Sequence, residues 1–60
     1  MNKQFIIDTA MRVSRERGYD MYIIYDSFED SYSFTQDKGI YLTETEKIVC
    51  KTDGIELITL

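Results

Sequence analysis

The chain contains no histidine, no proline and no tryptophan, and it has a single cysteine. Without histidine it lacks the commonest general base and the commonest zinc ligand. One thiol cannot form an internal disulfide, so packing alone has to hold the fold. The three glycines stand at 18, 39 and 54, too far apart to build a phosphate-cradling loop. Long apolar runs are missing as well. Near the start only Phe5-Ile6-Ile7 precedes Asp8, short of a signal-peptide core and of the about 20 apolar residues that a membrane span needs. With no export signal and a lone thiol, the expected compartment is the reducing cytoplasm.

What remains is small and acidic. Sixty residues allow one domain, 1–60, and such a chain buries only about 60% of its unfolded surface. Eleven acidic against seven basic residues give a net charge of −4, which argues against generic binding to nucleic acid or to an anionic membrane.

Residues 3–17 read as an amphipathic helix. At 100° per residue Ile6, Ile7, Ala10, Met11 and Val13 fall on one side, and Asp8, Arg12 and Arg15 on the other. Asn2 suits the N-cap. Gly18 suits the left-handed position that ends a helix, with Tyr19 folding back on Val13. Arg15 and Arg17 complement the dipole of the last turn.

Beyond Gly18 the pattern is that of strands, expected at about 20–26, 31–36, 39–43, 47–52 and 55–60. Met21-Tyr22-Ile23-Ile24-Tyr25 is apolar on both faces, as in a strand with neighbours on either side. Asp37-Lys38-Gly39 suits a three-residue hairpin with a Gly39 bulge joining 31–36 to 39–43. Asp53-Gly54 predicts a two-residue type I′ turn, pairing Thr52 with Ile55, Lys51 with Glu56, Cys50 with Leu57 and Val49 with Ile58. Thr43-Glu44-Thr45-Glu46 is a capping-box pattern able to open a short helix through Val49, whereas Ile48-Val49 and the turn at 53–54 favour a strand. The fold class is therefore α+β: one N-terminal helix on a mostly antiparallel sheet of four or five strands, arranged as a meander of hairpins.

No residue pattern identifies catalysis. Cys50, with no histidine to activate it, reads as an inert core thiol. Asp26, Glu29 and Asp30 lack the spacing and central glycine of a calcium loop. No enzyme activity, cofactor or metal is expected.

Charge placement is more suggestive. Lys3, Arg12, Arg15 and Arg17 outnumber Asp8 and Glu16 in residues 1–18, whereas nine acids outnumber Lys38, Lys47 and Lys51 thereafter. The acids alternate with tyrosines and phenylalanines. Aromatics among acids point to a protein partner with a basic surface, because rings anchor interfaces and carboxylates steer encounter. The candidate acidic contacts are Asp26, Glu29, Asp30, Asp37, Glu44 and Glu46. If the helix covers Ile40, Leu42, Ile48, Cys50 and Leu57, then Tyr22, Ile24, Tyr41, Val49 and Ile58 form a second apolar face for a partner or a homo-oligomer. The leading expectation is a non-enzymatic binding protein, an inhibitor or regulator of a nucleic-acid-handling protein, comparable to small acidic regulators of phage and mobile elements. Two alternatives are a nucleic-acid-binding regulator using Lys3, Arg12 and Arg15, and a structural oligomer subunit.

Overall fold

A computed structural model describes residues 3–36 and 39–60. It contains one helix and four strands: α1 (Lys3–Arg17), β1 (Met21–Asp26), β2 (Ser31–Thr35), β3 (Glu46–Thr52) and β4 (Leu57–Thr59). The expected N-cap Asn2 and two residues of the expected hairpin turn, Asp37 and Lys38, lie outside the described residues. The architecture is α+β, with α1 packed on one face of a four-stranded antiparallel sheet.

The helix ends where local chemistry ends it. Gly18 has φ +77° and donates its N–H to the Ser14 carbonyl at 2.9 Å, the single-bond left-handed cap that favours glycine. The apolar stripe lies on the sheet: Ile6, Ile7 and Ala10 are buried together with Met21, Ile23 and Cys50. Tyr19 and Val13 both pack against that cluster, as do Tyr32 and Phe34 from β2. Ser14, buried within the stripe, donates its hydroxyl to the Tyr19 carbonyl at 2.6 Å.

The sheet order is β2-β1-β3-β4, which differs from the sequential order of a meander. β1 is central, with β2 and β3 antiparallel on its two sides, so β2 and β3 run parallel to each other. A parallel pair needs a return connection across the sheet. The chain makes that return between β2 and β3, and the described residues 39–43 within it form no strand. Ile40 and Tyr41 of the expected third strand are exposed, and Leu42 is half-buried.

A bulge in β3 alters which side chains face the helix. Ile23 pairs with Cys50, but Ile24 pairs with Ile48, leaving Val49 as the extra residue. An inserted residue shifts every later side chain to the other face. Val49 packs with Cys50 on the helix side, and Ile48 joins Ile24 on the far face. Simple alternation predicts the opposite for Ile48 and Val49.

The connection between β3 and β4 also departs from expectation. Thr52 pairs with Leu57, Lys51 with Ile58 and Cys50 with Thr59, two residues beyond the type I′ register. A type I′ turn needs positive φ at both central residues. Gly54 has φ +97°, whereas Asp53 is not in that region. Instead the Asp53 carboxylate accepts the Ile55 and Glu56 amides, each at 2.9 Å, an Asx-type turn. Thr52, fully buried, accepts the Gly54 N–H at 3.0 Å and donates to the Glu56 carbonyl at 2.6 Å. These bonds build a loop over 53–56. Because the shift is two residues, Leu57 keeps the face of Cys50. Lys51 pairs with Asp20 at 3.4 Å and does not stand opposite Glu56.

Candidate functional site

The Thr43-x-x-Glu46 pattern closes a turn and opens no helix. The Glu46 amide donates to the Thr43 carbonyl at 3.1 Å, and the Glu46 side chain accepts the Thr43 amide at 2.9 Å. β3 then begins at Glu46. The turn is fastened to the end of β1: the Ser27 amide donates to the Thr45 carbonyl at 2.9 Å, and the Thr45 hydroxyl donates to Asp26 at 2.8 Å.

This junction gathers five of the six acidic candidates at one end of the sheet. Asp26 closes β1, Glu29 and Asp30 lie in the β1–β2 turn, Glu44 lies in the 43–46 turn, and Glu46 stands directly across the ladder from Asp26. Asp37, the sixth, lies outside the described residues. Like charges facing each other across a ladder are unfavourable. Here each carboxylate is hydrogen-bonded separately, Glu46 by the Thr43 amide and Asp26 by the Thr45 hydroxyl and the Phe28 amide at 2.9 Å. The Thr45 hydroxyl holds the Asp26 carboxyl below the usual carboxylate range, and the Phe28 and Glu29 amides add to this against partial desolvation. Asp26 is therefore an anion at neutral pH.

Asp30 has φ +51°, a conformation that aspartate tolerates better than most side chains. It accepts the Tyr25 hydroxyl at 2.7 Å, and that bond raises the Tyr25 phenol above its ordinary value. Tyr25 in turn lies against Tyr32, with ring centroids 4.8 Å apart. The turn is thereby braced from the sheet. Phe28 projects from it 82% exposed. Among the described residues, none of these five carboxylates takes part in an ion pair; the ion pair present joins Lys51 to Asp20.

Of the second candidate set, Tyr22, Ile24 and Ile58 share one face, and Tyr41 and Val49 do not. Tyr22 and Ile58 share the far face, one on each side of Lys51. Ile24 is buried on that face, Val49 packs into the helix-side core, and Tyr41 is 99% exposed in the connection. The basic helix residues are partly engaged within the fold. Arg15 donates to the Gly54 carbonyl at 2.9 Å, and the Lys3 ammonium stands 5.8 Å from the Tyr32 ring centre. Cys50 is a buried free thiol.

Among the described residues, no cluster of histidine, cysteine, aspartate or glutamate has the arrangement of a metal site. No helix is long and apolar enough to cross a membrane. Phe28, Tyr25 and Thr45 enter the site from the structure. Phe28 had a legible signal, a lone ring inside an acidic turn, whereas the bracing by Tyr25 and Thr45 depends on which strands meet. Comparison with protein-family models, with curated proteins and with solved structures finds no match.

Proposed function

We propose that the protein is a small, non-enzymatic binding module whose acidic end occupies a basic surface on a protein partner. The observation that carries this reading is the exposed Phe28 amid Asp26, Glu29, Asp30, Glu44 and Glu46 on a braced double turn. An aromatic side chain entering a pocket supplies affinity, and surrounding carboxylates accelerate encounter and reject acidic competitors. Bracing lowers the ordering cost of binding, because the turn is already hydrogen-bonded to the neighbouring strand ends. Proteins that handle nucleic acid present basic surfaces of the required kind, and covering such a surface would make this chain an inhibitor or regulator. The reducing cytoplasm is the compartment that suits this role.

The test is capture of partners from host extract, followed by association kinetics with the purified partner. Wild type is compared with Phe28→Ala and with a combined Asp26→Asn, Glu29→Gln, Asp30→Asn variant. Neutralising the acids is expected to slow association by tenfold or so at low salt, with little effect on dissociation. Phe28→Ala is expected to speed dissociation. Equal kinetics for all three proteins would refute the reading. So would a shift of bare DNA or RNA at sub-micromolar protein that Arg12→Ala and Arg15→Ala abolish, since that pattern belongs to a nucleic-acid binder.

A further inference from the structure

We infer that β4 is a self-pairing edge, through which two copies of this chain join their sheets about a two-fold axis at Ile58. β4 is one edge of the sheet. The Leu60 amide donates to the Val49 carbonyl at 2.9 Å. Alternation along an antiparallel ladder then directs Ile58 toward Lys51 and turns the N–H and C=O groups of Leu57 and Thr59 outward.

That parity is self-complementary. With a two-fold at Ile58, Leu57 of one copy faces Thr59 of the other, so outward groups meet outward groups in both halves. Ile58 then meets its own symmetry mate on the far face of the joined sheet. No side chain of residues 57–60 is charged, and Leu57, Ile58 and Leu60 are respectively 41%, 49% and 66% exposed. Neither proline nor an inward charge blunts this edge.

Charge repulsion between two copies is weak at this edge. β4 lies against the Cys50–Thr52 end of β3, whereas Asp26 and Glu46 lie at the other end, about 16 Å away at the rise of a strand. That exceeds the Debye length of about 8 Å at physiological salt, so the acidic ends of two copies are screened from each other. Glu56, which directly precedes β4, is four residues along the strand from its symmetry mate in this register, about 14 Å. An isologous pairing also closes on itself, whereas β4 against β2 of a second copy would grow without limit. The strand is short, so the contact is of the weak, concentration-dependent kind. This pairing is independent of the basic-partner reading.

The test is sedimentation equilibrium up to about 1 mM protein, a range that captures weak dimers. Wild type is expected to show a monomer–dimer equilibrium. Thr59→Pro removes an outward donor while leaving the β3–β4 bonds intact, and it is expected to weaken dimerisation at least tenfold with the helical circular dichroism unchanged. Ile58→Glu, at an exposed side chain, is expected to do the same and decides the matter if Thr59→Pro disturbs the fold. Wild type remaining monomeric throughout, open-ended growth, or dimerisation unchanged in the decisive variant would each overturn the inference. The acid-neutralised variant should dimerise like wild type, which separates this contact from the acidic end.

Discussion

Gly54 lies against the backbone of Arg15. A β-carbon at position 54 would stand 2.6 Å from Arg15 Cγ, 2.8 Å from its amide nitrogen and 3.1 Å from its α-carbon. The Arg15 guanidinium closes the contact by donating to the Gly54 carbonyl at 2.9 Å. The 53–56 loop is thus seated on the last turn of α1 at a position where only glycine fits.

Gly54→Ala should therefore destabilise the fold by about 2–4 kcal/mol. The left-handed conformation costs an L-residue about 1–2 kcal/mol, and the clash with helix backbone adds to it because that backbone cannot move aside. Arg15→Met, which keeps the stem and loses the hydrogen bond, should cost only about 1 kcal/mol. Urea denaturation of the two variants checks both the ranking and the size. Equal effects would mean that the close approach has no energetic weight.

Thr52→Val should cost about 2 kcal/mol although it keeps the shape of a fully buried side chain. It leaves the buried Gly54 amide without its acceptor and the Glu56 carbonyl without its donor. Thr52→Ser keeps both bonds and should lose about 1 kcal/mol for the missing methyl group. Thermal melts that place serine below valine would contradict this account of the loop.

Stability should fall on both sides of neutrality. The Asp53 carboxyl is held below its ordinary value by the Glu56 and Ile55 amides, and Asp26 by the Thr45 hydroxyl. A depressed carboxyl stabilises the fold above its unfolded pKa, near pH 4, and this contribution disappears as pH falls through the folded value. Tyr25 is raised by its bond to Asp30. Its contribution is complete below its unfolded value near pH 10 and disappears as pH rises through the folded one. Urea midpoints measured from pH 2 to 11 should fall at both ends. Asp53→Asn should flatten part of the acid limb, and Tyr25→Phe part of the alkaline limb.

Cys50 should react slowly with an aromatic disulfide reagent. It is 5% exposed in the core, so modification has to wait for the structure to open. Protection of about a hundredfold relative to the urea-unfolded chain corresponds to about 2.7 kcal/mol of opening free energy. Unprotected labelling would place the thiol at the surface and contradict the helix–sheet packing.

The sequence by itself determined whatever depends on neighbours within about one turn of chain. The helix over 3–17, its glycine cap and its buried stripe follow from spacing and from Gly18, and the two-faced apolarity of 21–25 marks a central strand. Acids around a lone ring at 26–30 were equally legible. Tertiary structure decided the rest, because strand pairing is a choice among distant partners that share similar local propensities. β1 takes β3 as its second neighbour, so residues 39–43 connect strands and do not extend the sheet. The bulge at Val49 exchanges the faces of Ile48 and Val49, although both are β-branched and each suits either side. Asp53-Gly54 carries a hairpin signature, but burial of Thr52 and the seat of Gly54 on Arg15 select a longer loop with a register two residues away. The 43–46 turn reaches Asp26 only because β3 pairs with β1, and that pairing assembles the acidic end from segments about 19 residues apart.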